Sequence, residues 1–259
     1  MRIAMGIEYD GSPFSGWQRQ LHASGIQEAL ERALSRVADH PVAVVCAGRT
    51  DAGVHATAQV VHFDTDARRD MRAWMLGTTC NLPPEVCVTW AQPVAEDFHA
   101  RFSAVGRQYR YIILNRTVRP SLLRHRVCWE HAPLDAARMA EASRCLIGTH
   151  DFSSFRAQGC QAKNPLREVT SLEIHRHGEF IYLDIAANAF LHHMVRNIAG
   201  TLLAVGRGDQ HVEWVRNVLE ARNRTVGGIT ASAAGLYLVQ VRYPEQFGVP
   251  QVVQLPCLG

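Results

Sequence analysis

VAVVCAGRTDAGVHATAQVVHF, Val42 to Phe63, contains two strand-like runs, Val42–Ala47 and Ala56–Asp64. The segment between them, Gly48 to His55, is too polar and too glycine-rich to continue either run. It places a guanidinium, a hydroxyl, a carboxylate and an imidazole within eight residues. Gly48 and Gly53 bracket Arg49–Ala52, as expected where the backbone takes positive φ or a ligand approaches closely. Loops carried on a rigid sheet are where catalytic groups gather. By itself a carboxylate in such a loop is most often a turn former bonded to its own backbone. Asp51 therefore needs support from the rest of the chain before it is read as a reactive group.

Upstream, Arg2–Tyr9 alternates as a strand, with Ile3, Met5 and Ile7 on one face. Ser24-Gly25-Ile26-Gln27 resembles a capping box opening a helix that runs to about Asp39. Its apolar positions, Ile26, Ala29, Leu30, Ala33, Leu34 and Val37, form one buried stripe. Downstream come a helix at about 70–79, broken by Asn81-Leu82-Pro83-Pro84, and a strand over 86–92. The order is β-α-β-β-α-β, and it repeats in outline. A strand over 107–114, a helix over 133–147, a hairpin of 169–176 and 180–187, a helix over 190–205 and a strand over 236–241 follow. An extra helix at about 211–222 and the TVGGITASAAG loop are inserted before the last strand. The expectation is an α+β fold of two ferredoxin-like halves, with mainly antiparallel sheets joined side by side and a cleft between them. The halves span 1–105 and 106–243, and 244–259 is a tail read as an appendage.

Hydrophobic content of 47% and charge of 20% are those of a globular protein. The first residues meet Glu8 and Asp10 before any apolar signal develops, and no run approaches a membrane span, so a cytoplasmic setting is expected. The cysteines 46, 80, 87, 128, 145, 160 and 257 form no CxxC pair, which predicts reduced, mostly buried thiols. No HExxH or HxH cluster suggests a metal. Net charge is only +3, but its distribution is uneven. Between Phe98 and Glu130 there are seven arginines (101, 107, 110, 116, 119, 124, 126) and one acid, a block that favours a polyanion. Lys163 is the only lysine, and arginine stacks on bases and grips phosphate better than lysine does.

Three further stretches carry candidate chemistry. In Gln108-Tyr109-Arg110-Tyr111, Tyr109 shares a strand face with Tyr111 and Ile113; it is either a sheet-face aromatic or a ring on which a base stacks. In NAFLHHMVRNIAGTLLAVG, Leu191, Val195, Ile198, Leu202 and Val205 form an apolar stripe. His192, His193, Arg196, Asn197 and Gly200 gather on another side. Arg196 is a candidate partner for Asp51, since an opposite charge holds a carboxyl ionised. DFSSFRAQGCQAKNP, 151–165, reads either as a mobile phosphate-contacting loop with Arg156 and Lys163 or as an ordinary surface loop.

Taken together, YDGSPFSGWQRQ, CAGRTDAGVHATAQVVHF, DFHARFSAVGRQYRYIILN, HDFSSFRA and NAFLHHMVRN resemble, in order, the tRNA pseudouridine synthase A family. The resemblance covers Ile3 to about Tyr243. Ala58 and Asn188-Ala189 depart from it, where the family commonly has glycine. The resemblance implies isomerisation of uridine to pseudouridine near positions 38 to 40 of the tRNA anticodon stem-loop, by a homodimer with no cofactor or metal. It implies Asp51 as nucleophile, Tyr109 stacked on the uracil, Arg49 filling the vacated stack, Arg196 as partner of Asp51 and Leu236 as an apolar floor. It implies RNA contacts at Arg69, at Phe98, His99, Ala100, Arg101 and Phe102, and at Arg156, Gly159, Cys160, Gln161, Ala162 and Lys163. Two other readings compete. A non-catalytic RNA-binding protein with paired ferredoxin-like sheets leaves the GRTDAG loop without a role. A metal-dependent hydrolase would use Asp51, His55 and His62.

Overall fold

The acceptor that each backbone N–H finds decides where the elements begin and end. The computed structural model describes residues 1–20, 22–251, 253–256 and 258. In chain order the elements are β1 (Arg2–Tyr9), α1 (Ile26–Ala38), β2 (Val45–Cys46), β3 (His55–Asp64), α2 (Met71–Asn81), β4 (Val86–Val94), β5 (Gly106–Asn115), β6 (Cys128–Glu130) and α3 (Ala136–Ser143). They continue with β7 (Gly148–Asp151), β8 (Leu166–His177), β9 (Phe180–Ala187), α4 (Met194–Gly206), α5 (Trp214–Ala221) and β10 (Leu236–Arg242). The fold is of the α+β class. Two compact units are formed, one of Met1–Val105 with Tyr237–Pro256, the other of Gly106–Leu236 with residue 258.

In the first unit the strand order is β4-β1-β3-β10, with β2 also on β3. β1 is antiparallel to β3 and β4, and β10 pairs with β3 in parallel at Tyr237–His55 and Leu238–Ala56. The apolar stripe of α1 is buried as its spacing requires, with Ile26, Leu30 and Leu34 fully enclosed. Asp70 caps α2 by accepting the Ala73 N–H at 2.6 Å. The capping box expected at Ser24 does not form. Gly25 is the N-cap and makes no side-chain bond. The Ile26 and Gln27 N–H groups instead donate to the carbonyls of Gly16 and Trp17, at 3.2 and 2.9 Å. The strand expected over 42–47 also shrinks to Val45–Cys46. The Val42 N–H is taken by the Ser35 hydroxyl (2.9 Å) and the Val44 N–H by the buried Glu31 carboxylate (3.1 Å), both on α1. Those bonds compete with sheet pairing.

The described residues from 245 to 256 are docked on the first unit rather than trailing from it. Phe247 meets Phe98 edge-on at 5.3 Å, Val249 is buried, and the Gln254 carbonyl accepts the Thr57 hydroxyl. Of the cysteines, Cys128 is buried, Cys46, Cys87, Cys145 and Cys160 are half-buried and Cys80 is exposed, so burial is less general than expected. Cys257 lies outside the described residues.

In the second unit the order is β5-β9-β8-β7, antiparallel throughout, with the short β6 parallel to β5. α4 starts at Met194, later than its apolar pattern predicts. His193 adopts φ 62° there, a left-handed conformation that the preceding helical turn cannot contain. The arginine block is not uniform either. Arg110 is buried, makes two hydrogen bonds of 2.7 and 2.6 Å to the Asp184 carboxylate, and lies over the Tyr182 ring at 4.8 Å. It belongs to the sheet and not to a polyanion surface.

Removing one member of this enclosed pair strands the other charge. Arg110→Ala should lower stability by about 3 kcal/mol, whereas Arg110→Met with Asp184→Leu should recover most of the loss. Urea denaturation reads both, and a near-neutral single variant would contradict the assignment.

Candidate active site

The loop between β2 and β3 is fixed from several sides. The Thr50 hydroxyl shares a 2.8 Å hydrogen bond with the Tyr9 phenol. The Gln59 amide donates to the Gly48 carbonyl at 2.6 Å and accepts the Gly48 N–H at 3.4 Å. The Val54 N–H closes a turn on the Asp51 carbonyl at 3.1 Å, and Gly53 supplies φ 75°. Of the two bracketing glycines only Gly53 is in the left-handed region. The Trp17 N–H donates to the Thr50 carbonyl at 3.0 Å. Gly16 permits that approach: it sits at φ 97°, and a Cβ there would lie 2.9 Å from the Thr50 carbonyl oxygen. Along the loop Arg49 is exposed, Thr50 buried and Asp51 half-buried. The backbone of the acid is thus held while the arginine before it faces outward.

His55 and His62 have structural work. His55 Nδ1 accepts the Gly11 N–H at 3.1 Å, lies 3.2 Å from the Asp10 carboxylate, and the ring stacks on Tyr237 at 4.6 Å. His62 Nδ1 accepts the Ala100 N–H at 3.1 Å. These positions take away the histidines that the hydrolase reading requires.

The Phe98–Phe102 turn divides by burial. Phe98 and Ala100 are enclosed, Phe98 among the rings of Tyr243 and Phe247. The Ala100 carbonyl accepts the Tyr243 hydroxyl at 2.6 Å. His99 Nδ1 accepts the N–H groups of Arg101 and Phe102, both at 3.2 Å. Phe102 is 76% exposed with the Arg101 guanidinium 5.5 Å from its ring centre, an outward aromatic–cation pair suited to stacking. Arg69, in the same unit, is exposed.

In the second unit Tyr109 is nearly buried and meets Phe190 edge-on at 5.0 Å. Tyr111, on the same face, is fully buried; its hydroxyl donates to the Ser232 carbonyl at 2.7 Å, and burial holds its pKa well above the usual phenol value. The histidines expected on a helix face precede α4, their rings 4.1 Å apart. The polar side of α4 is packed rather than solvated. Asn197 and Gly200 are buried, and a Cβ on Gly200 would sit 1.7 Å from the Ile229 carbonyl oxygen. Arg196 donates from Nε to the Ala231 carbonyl at 2.9 Å, and the Ala231 N–H returns a bond of 3.1 Å to the Arg196 carbonyl. Leu236 is buried.

The 151–165 stretch is only partly the loop expected. Phe152, Ser154 and Phe155 are buried in a short 3₁₀ turn. From Arg156 onward the chain opens: Arg156, Cys160 and Ala162 are half-buried, Gly159 (φ 80°), Gln161 and Lys163 exposed. Phe190, against Tyr109, and Arg224 and Thr230, on Asn197, were not singled out from sequence. They sit outside the α-helices and strands, where periodicity gives no signal.

A tRNA pseudouridine synthase family model matches residues 5–103 and 142–244. The chain is 59% identical over 252 residues to tRNA pseudouridine synthase A of Nitrosococcus oceani, covering 97% of both. It is 58% identical over 252 residues to that of Aeromonas hydrophila, covering 97% of this chain and 94% of the relative. Against that of Pseudomonas aeruginosa identity is 57% over 251 residues, 96% of this chain and 88% of the relative. The class is therefore that of an isomerase on an α+β scaffold. The chain belongs to the tRNA pseudouridine synthase family.

Burial, together with Arg2 and His99, lowers the His62 pKa from 6.5 to about 4, so the ring is neutral at pH 7. The unfolded chain takes up that proton near 6.5 and the folded chain near 4. Stability from this group is complete above pH 6.5 and falls as pH drops towards 4. His62→Gln should flatten that part of the stability–pH curve in urea titrations. An unchanged curve would remove His62 as the cause.

Proposed function

We propose that this enzyme isomerises uridine to pseudouridine at positions 38 to 40 of the tRNA anticodon stem-loop, with Asp51 as the nucleophile. The observation that carries the reading is the loop itself: a half-buried acid on a backbone held by Tyr9, Trp17 and Gln59, next to an exposed arginine. A stacked uridine hides its glycosidic bond, so the nucleotide must leave the stack at a cost of a few kcal/mol. Arg49, exposed two residues before the acid, offsets that cost by filling the gap and meeting phosphate.

Asp51 then attacks the ribose anomeric carbon or carbon 6 of the uracil. The bond from uracil N1 to the anomeric carbon breaks, the base turns, carbon 5 bonds to the anomeric carbon, the bond to Asp51 is released, and the proton on carbon 5 departs while N1 gains one. Tyr109 stacks on the uracil and relays the proton. The role given to Arg196 is that of charge partner to the Asp51 carboxylate. Leu236 serves as the apolar floor. Arg69, the turn of Phe98, His99, Ala100, Arg101 and Phe102, and Arg156 with Gly159–Lys163 bind the RNA. Within that turn the contacts fall to Arg101 and Phe102, with His99 and the buried pair beneath them. No helix among the described residues is long and apolar enough to cross a membrane. A cytoplasmic homodimer acting without a cofactor completes the proposal.

Mapping pseudouridine in an unmodified tRNA transcript tests it. New pseudouridine should appear at 38–40, at a rate unaffected by a chelator, and tRNA binding should weaken steeply with salt. Product only outside the anticodon arm would overturn the substrate assignment. Arg49→Ala should lose about tenfold or more in turnover while keeping most tRNA affinity. Wild-type turnover would count against the wedge.

A further inference from the structure

Arg196 is held through its backbone and its Nε by Ala231. Ala231 ends the segment Gly227–Ala231, which has no regular structure of its own, so its position depends on what anchors it. The anchor is Asn197, 1% exposed and next to Arg196 in α4. Its carbonyl oxygen accepts from the Thr230 hydroxyl at 2.7 Å and from the Arg224 guanidinium at 3.1 Å. The same guanidinium nitrogen donates to the Thr230 hydroxyl at 3.1 Å, closing a triangle. The Asn197 amide nitrogen donates to the Phe155 carbonyl at 2.7 Å, one residue before the loop that opens at Arg156. The Gly228 N–H adds a 3.2 Å bond to the Thr201 hydroxyl.

We propose that Asn197 and Arg224 are positioning residues: they pin the 227–231 segment to α4, fix the guanidinium of Arg196, and tie it to the start of the RNA-contacting loop. The inference rests on the reading of Arg196 as a catalytic group. The chemistry requires these residue types. A buried amide can accept two donors on one side and give a proton on the other. Arginine at 224 supplies a charge-assisted donor that reaches both acceptors at once. A guanidinium on a long, flexible stem needs such support, because displacement of a reacting group by about 1 Å costs up to roughly a hundredfold in rate.

Arg224→Ala and the milder Thr230→Val, in the full-length enzyme, test this on tRNA. Single-turnover rate should fall about tenfold to a hundredfold for Arg224→Ala and less for Thr230→Val. tRNA affinity should stay within about threefold, because neither side chain is given an RNA contact. The loss should fall on the single-turnover rate at saturating tRNA and leave KM nearly unchanged, as it should for Arg196→Lys. In an Arg196→Lys background, Arg224→Ala should add little. A multiplicative loss in that background would overturn the proposal. So would normal rates in both variants beside an impaired Arg196→Lys. If Arg196→Lys itself behaves as wild type, the catalytic reading of Arg196 fails and the positioning role falls with it. Should Arg224→Ala not fold, Thr230→Val decides on the same rate, KM and double-variant readouts.

Discussion

The first unit depends on a short loop at Gly16-Trp17 that serves two partners at once. Its carbonyls accept the first N–H groups of α1, and its Trp17 N–H donates to the Thr50 carbonyl. A helix N-terminus leaves several N–H groups without internal partners, and here the chain that meets them is also the chain that holds the loop of Asp51. Only glycine at 16 allows the two backbones so close. The position of the acid is therefore linked through hydrogen bonds to the packing of α1, whose stripe of Ile26, Leu30 and Leu34 is fully enclosed. Such support lets a reactive group sit on a loop without the loop's usual freedom.

The second unit solves a comparable problem by a different route. Irregular chain at 227–231 is held against α4 by a buried amide, a hydroxyl and a guanidinium, and by the missing side chain of Gly200. Buried polar networks stabilise only when every member is satisfied, and Asn197 uses its acceptor and its donor. Both units thus rigidify irregular backbone by bonds to regular elements.

Much of this is legible in the sequence. The 3.6-residue spacing of α1 and the apolar runs of β1 and β3 give those elements, and the second helix starts from its cap at Asp70, as read. The five motifs, taken in order, point to the family. What escapes is the partnering of groups far apart in the chain. Nothing local says that Gly16 and Trp17, rather than Ser24, cap α1, or that Glu31 and Ser35 take N–H groups that a strand would use. Charge counting placed Arg110 in a polyanion surface because Asp184 is 74 residues away. Asn197 read as one more polar helix residue, since Arg224 and Thr230 lie in a segment without periodicity. Sequence patterns report burial and local geometry well; they do not report which distant donor meets which acceptor.

The central claim is that Asp51 carries the chemistry on uridine. Rejoining through carbon 5 must expel that carbon's hydrogen, so tRNA labelled with tritium at carbon 5 of uridine reports the complete isomerisation. The wild-type protein should release tritium to water in the presence of a chelator, and Asp51→Ala, folded and still binding tRNA, should release none above background. Equal release by Asp51→Ala would contradict the account.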